Sequence, residues 1–240
     1  MCKLWLKTRG VTVGSHIQSI AQIQDMPFDD VDIPVSQLDA LREADYPVNN
    51  PRALDAMLAA IEEAREAQDS VGGVIETAVC GLPAGLGEPW FWSVESELSH
   101  LLFSVPAVKG VEFGAGFAIA EMTGSEANDP FYYDEAGRVR TKTNHSGGIQ
   151  GGITNGMPLV LRTAVKPTAS IFRPQQTVDL AAGQDATLAL KGRHDPAIVH
   201  RARAVVDAVV AFGLVDLAAG RYGTDWMAAG FSGQKRIFEQ

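Results

Sequence analysis

The sequence predicts a soluble globular domain that mixes helices and strands, and three observations carry that prediction. Apolar residues keep helical period in some segments and gather in β-rich runs in others. Capping and breaking residues stand at the joints between those segments. The bulk is ordinary globular material: 240 residues, 46% hydrophobic and 20% charged. Such a chain can bury a sizeable core as one large domain or two small ones.

Residues 1–22 open with a short, partly apolar helical turn, followed by an alternating strand from Val11 to Ile20. Residues 24–48 are acidic and punctuated by proline, and are expected to wrap the surface. Asn50-Pro51 starts a helix, with Asn as cap and Pro at the first helical position. Its inward side is Leu54, Met57, Leu58 and Ile61. Residues 70–80 read as a strand, with Gly72-Gly73 marking a bulge or close approach. A glycine-punctuated loop over 82–89 leads to a helix capped by Ser93, which faces Leu98, Leu101 and Leu102 inward. Val105-Pro106-Ala107 ends that helix, and residues 111–122 read as a long strand. A further strand is expected over 159–165, then a helix from about Pro196 to Ala219. Ile198, Ala202, Val205, Val206, Val209 and Phe212 form its expected inward stripe. Asp195 is placed to cap it. Residues 221–240 are weakly patterned and are expected to form a mobile tail.

Several function classes lose ground at once. The formal net charge of −9 argues against a nucleic-acid partner for the whole surface. No apolar run approaches the ~20 residues of a membrane span, and the start lacks the apolar core of a secretory signal. Cys2 and Cys80 offer neither a disulfide framework nor metal spacing, so a reducing cytoplasm is the default. Gly114-Ala115-Gly116 lacks the next glycine of a dinucleotide fingerprint, because Ile119 stands there. His16, His100 and His200 are scattered and read as ordinary core or surface residues, whereas His145 and His194 lie inside the motifs described next.

The most distinctive stretch is N-H-S-G-G-I-Q-G-G-I-T-N-G over 144–156, with two Gly-Gly-Ile units. Missing side chains there would let backbone N–H groups approach a bulky ligand; the plainer reading is a tight loop needing several positive φ angles. Between Gly137 and Val178 there is no Asp or Glu, while Arg138, Arg140, Lys142, Arg162, Lys166 and Arg173 fall there. That window looks like an anion site, with phosphate the commonest candidate. A glycine-lined, cation-rimmed hollow joining the Gly-Gly-Ile units to Lys166 and Arg193 is therefore expected. Pro167 fixes the backbone after Lys166, as a ligand loop requires.

These motifs together resemble the chorismate synthase family. The resemblance rests on Gly124-Ser125-Glu126-x-Asn128-Asp129, the GGIQGGITNG run, Lys166-Pro167 with Ser170, Gly192-Arg193-His194-Asp195-Pro196, and the Arg201-Ala202 step beyond. It runs from near residue 1 to about Leu217, giving a domain over 1–220. The resemblance implies an α+β layered sandwich with helices packed between antiparallel sheets, assembled as a homotetramer. It implies a cytoplasmic lyase that converts a small phosphorylated substrate, 5-enolpyruvylshikimate 3-phosphate, to chorismate by 1,4-elimination of phosphate. Reduced FMN is its implied cofactor, with NADP an associated one. Carried over residue by residue, FMN contacts fall on Pro106, Ala107, Gly151, Lys166, Pro167, Thr168, Ala169, Ser170 and Arg193, and Asp195 matches a catalytic acid/base helper. At Ala169 only the backbone could contribute.

The chain resembles the C-terminal two-thirds of that enzyme. Two catalytic histidines, a flavin-binding segment and the arginines gripping substrate phosphate belong to the preceding part. Impaired turnover by this chain alone is the expectation. A flavin- or phosphate-binding remnant, or an assembly partner without turnover, is the competing class. A purely structural oligomerisation module is a third reading, and it leaves the basic window without a purpose.

Overall fold

A computed structural model describes residues 1–192 and 194–223. The chain runs α1 (Cys2–Thr8), β1 (Thr12–Ile20), β2 (Ile23–Gln24), α2 (Val35–Glu43), α3 (Pro51–Glu66), β3 (Gly73–Cys80), α4 (Val94–Phe103) and β4 (Val108–Phe113). A 3₁₀ helix (Gly116–Glu121), α5 (Gly124–Ala127), β5 (Phe131–Tyr133), β6 (Val139–Thr141), β7 (Ile149–Gln150) and β8 (Ile153–Thr154) follow. Then come β9 (Leu159–Val165), β10 (Gln175–Asp179), β11 (Gln184–Leu188) and α6 (Val199–Tyr222).

The frame is one antiparallel five-stranded sheet in the order β2-β1-β3-β9-β4; the other three sheets are two-stranded hairpins. Its strand β9 is buried on both faces, with Leu159, Val160 and Leu161 all inaccessible. One face carries the main core. There Ile17, Ile75 and Leu161 meet Leu98 and Leu102 of α4 and Val206, Val210 and Leu214 of α6. Burying each such side chain is worth roughly 1.5–3 kcal/mol, so this layer dominates the stability. The fold class is α+β with antiparallel sheets, and here it takes the form of a sheet with its helix layer.

Several expected elements form as read. Asn50 Oδ1 accepts from Arg52 N–H at 3.1 Å, and Ser93 Oγ from Ser96 N–H at 3.1 Å, so both helices start on their capping residues. Gly72 and Gly73 are close-approach positions: a Cβ would lie 2.4 Å from the Val165 carbonyl oxygen and 2.0 Å from that of Ser19, respectively.

Four expectations are corrected. Residues 24–48 do not merely wrap the surface, because they form α2 and seal the sheet's second face. Phe28, Ile33, Leu38 and Leu41 pack there on Ala78, Cys80 and Val160. On the inner side of α3, Met57 is joined by Ala53 and Ala64, while Leu58 is exposed. The strand expected over 111–122 ends at Phe113. Gly114 turns the chain with φ 54°, and its Cβ would stand 2.1 Å from the His145 carbonyl oxygen.

The fourth correction concerns α6, which begins at Val199 with Ile198 as its cap residue and no side-chain cap. Asp195 is not its cap: Pro196 is drawn away by its carbonyl, which accepts Val71 N–H at 2.8 Å. The inward stripe is Val199, Val206, Val210, Leu214 and Ala218, while Val205 and Phe212 stay exposed. Arg221 and Tyr222 belong to the helix, and the rest of the expected tail, 224–240, lies outside the described residues.

Candidate functional site

The two ends of β9 collect the motifs, and they are built differently. At its C-terminal end, Lys166 N–H donates to the Ala107 carbonyl at 2.9 Å, which fastens the 166–170 strap to the α4–β4 turn. Ala107 sits at φ 73°, a conformation costing an L-residue about 1–2 kcal/mol. Beyond that bond the strap leaves the sheet. Lys166, Pro167, Ala169 and Ser170 are exposed, Thr168 is half-buried, and Pro106 is exposed beside them. Thr168 Oγ1 donates to the Asp195 carbonyl at 2.9 Å, which brings the Asp195 segment to the same place. The Asp195 carboxylate is gripped by both arms of Arg201, at 2.7 and 3.3 Å, a fork that orients it. Among the described residues the Lys166 ammonium has no ion-pair partner. The structure thus gathers Pro106, Ala107, Lys166, Pro167, Thr168, Ala169, Ser170 and Asp195. Arg193 lies outside the described residues.

At the other end of β9 the glycine-rich loop serves its own packing. Asp129 is buried; its Oδ1 accepts His145 N–H at 2.8 Å and Thr143 Oγ1–H at 2.8 Å, and its Oδ2 accepts Ser146 N–H at 2.9 Å. These bonds hold the Asp129 pKa below the usual carboxylate range against the effect of burial. Asn144 Oδ1 accepts Gly148 N–H at 2.7 Å, and its Nδ2 donates to the Asp30 and Pro158 carbonyls. Gly151-Gly152 makes the two-residue turn of the β7–β8 hairpin, at φ 60° and 82°, the positive pair that such a turn demands. Gly152 lies tight against Ser93, whereas a Cβ on Gly151 would meet nothing within 4 Å.

Among the described residues the Gly-Gly-Ile units and Lys166 do not share one hollow. Seven residues of β9 separate the Gly-Gly-Ile loop from Lys166, roughly 20 Å at strand rise. The basic window is dispersed as well. Arg138 pairs with Asp134, Arg162 with Glu76 and Glu112, and Arg173 with Asp69. Arg140 donates to the Val31 carbonyl. Acids from outside the window pair with Arg138, Arg162 and Arg173, because pairing follows space and not chain order.

Sequence reasoning missed the most highly charged arrangement in the sheet. His16, Glu76, Arg162 and Glu112 are register partners across β1, β3, β9 and β4, so opposite charges alternate in one row. His16 is fully buried, with Nδ1 2.8 Å from Asp25 and Nε2 2.8 Å from Glu76. Carboxylates accept only, so both ring nitrogens donate and the ring is an imidazolium. Burial acts to lower the His16 pKa, but the two hydrogen bonds and charges win and raise it. Glu76 and Asp25 are lowered, their burial being outweighed chiefly by the His16 bond. Glu76 also takes Phe28 N–H at 2.7 Å and Arg162 Nε–H at 3.0 Å. The partners are 60 and 86 residues apart in the chain, so no local pattern announces them. The inner end of the row, His16 with Asp25 and Glu76, is buried and fully hydrogen-bonded as a structural staple, while Arg162 and Glu112 at its outer end are partly exposed.

Fold and strap together define an α+β domain whose one sheet end presents a cation and open backbone, a construction suited to a small anionic ligand. The model of the chorismate synthase family matches residues 1–219. The chain belongs to the chorismate synthase family, a family of lyases. It is 56% identical over 164 residues to chorismate synthase of Thermococcus gammatolerans, an alignment covering 68% of this chain and 46% of that one. It is 44% identical over 215 residues to that of Acaryochloris marina, covering 89% and 57%. A crystal structure of chorismate synthase superposes with a TM-score of 0.76 at 27% identity, covering 92% of this chain and 61% of that one. The chain therefore spans about half the length of the curated relatives it matches.

Proposed function

We propose that this chain carries the flavin side of the chorismate synthase reaction, the FMN-dependent 1,4-elimination of phosphate from 5-enolpyruvylshikimate 3-phosphate. The observation that supports it best is the meeting of Pro106, Ala107, the 166–170 strap and Asp195 at one sheet end. The donor set fits FMN: Lys166 offers an exposed ammonium for its phosphate or polar ring edge, and the strap offers open backbone. Arg193 joins this set in the proposal. Reduced FMN, when bound, lends electron density that helps phosphate to leave an unactivated allylic carbon. The chain's own part is to orient the ligand with the strap and to hold the Asp195 carboxylate, through Arg201, where a proton can pass to or from it. Gly151 is proposed as a flavin contact only in a homo-oligomer, where a second copy could bring its open backbone to the strap. The homotetramer and the cytoplasmic location rest on the family alone.

A second reading is FMN or phosphate binding without turnover, as an assembly partner, since an exposed Lys166 ammonium and open strap backbone suffice for binding alone. Fluorescence titration of FMN with the intact chain, followed by stopped-flow assay of chorismate formation with reduced FMN, separates the two. Saturable quenching with turnover supports the first reading, and quenching without turnover supports the second. Folded protein with no affinity for FMN ends both.

A further inference from the structure

Residues 68–71, between α3 and β3, take no part in the flavin proposal, yet each of the four makes an attachment to the site. Gln68, at φ 59°, accepts Phe172 N–H on its carbonyl at 3.2 Å. The Asp69 carboxylate accepts from Arg173 at 3.0 Å. Ser70 Oγ donates to the Thr168 carbonyl at 2.7 Å. Val71 N–H donates to the Pro196 carbonyl at 2.8 Å. Two of these bonds fall just after the strap, one grips its middle, and one secures the segment of Asp195.

The strap needs such attachment because the sheet stops supporting it. Lys166 makes the last backbone bond to the β4 side, Pro167 has no N–H, and four of the strap's five residues are exposed. Among the described residues one other side chain hydrogen-bonds to it, Gln175 Nε2 to the Ala169 carbonyl at 3.1 Å, and that bond is solvent-exposed. The Ser70 bond is partly buried, and it falls on Thr168, the residue whose hydroxyl holds the Asp195 carbonyl. One hydroxyl therefore fixes the strap and, through Thr168, its distance from Asp195.

We propose that the α3–β3 connection sets the geometry of the flavin-contacting strap, with Ser70 as the positioning residue. The proposal rests on the flavin reading above, and Ser70 itself touches no proposed ligand atom.

The test uses the intact chain with Ser70→Ala and Ser70→Thr, followed by amide hydrogen exchange over 168–172 without flavin and by FMN titration. Ser70→Ala should speed exchange in that segment while leaving β3 and β9 protected. It should weaken FMN binding about fivefold, the equivalent of one ordinary hydrogen bond. Ser70→Thr, which keeps the hydroxyl, should recover both. Unchanged exchange over 168–172 in Ser70→Ala overturns the proposal, as does a rise spread evenly over the sheet, which would mark a folding defect. If the parent chain fails to bind FMN, the flavin reading falls, and the exchange measurement still decides whether Ser70 fixes the strap.

Discussion

The two ends of β9 carry the two most distinctive motifs of the chain, yet they commit their polar groups differently. At the glycine-rich end, Asp129 holds the loop backbone and Asn144 ties it to the Asp30 and Pro158 carbonyls. Gly114, Gly148 and Gly152 face neighbours too close for a side chain, while Asn155 Nδ2 is buried without a hydrogen-bond partner among the described residues. At the strap end, Lys166 has no ion-pair partner among the described residues, and the backbone of 166–170 runs exposed beyond the sheet. An unusual composition marks a tight geometric demand, whereas a ligand site is marked by polar groups left uncommitted.

Changes to the sheet's buried charge should sharpen this contrast most. Glu76→Ala strands His16, Arg162 and the Phe28 N–H, and should cost about 3–5 kcal/mol in urea unfolding. A loss under about 1 kcal/mol would mean the row is ornamental. The same row gives stability a pH optimum. The raised His16 pKa makes its contribution complete below about 6.5 and lost as pH climbs through the folded value. The lowered Asp25 and Glu76 contribute fully above about 4.3 and lose their share as pH falls through their depressed values. Melting temperature should therefore peak between those limits, and His16→Gln should flatten the alkaline limb.

Gly114→Ala comes next, at roughly 3 kcal/mol, since it meets both a positive φ and the His145 carbonyl; wild-type stability would remove the packing argument for this end. Lys166→Ala should do the opposite, leaving unfolding within about 0.5 kcal/mol but weakening FMN binding about tenfold. Equal affinity for FMN in that variant would take Lys166 out of the proposed site. Gly151→Ala should be mildest, about 1 kcal/mol of backbone strain with no steric clash, read from the same urea curves.

Elements governed by local rules were legible along the chain. The strand over 159–165 needed only its short apolar run, and the helices after Asn50 and Ser93 needed only a cap and a period. The inward face of α6 was not legible. Val205-Val206 and Val209-Val210 put apolar residues on adjacent flanks, and contact with α4 and β1 chooses between them. Asp207 shows the same limit: mid-helix and buried, it is sustained by Lys3 and Ser15 from distant parts of the chain. For the candidate site, the residues of the strap were named by motif, but their separation from Gly151 follows from the length of β9.

What the order of amino acids determined by itself is the strands over 11–20, 70–80 and 159–165, the helices capped by Asn50 and Ser93, and the strap residues, because turn chemistry, period and proline act within a few bonds. What only the tertiary structure decided is which charges meet. Pairing across the sheet joins residues 16, 76, 112 and 162 at the spacing of hydrogen-bonded strands. A row assembled that way leaves no trace in any single stretch of sequence, since register, not adjacency, brings its members together.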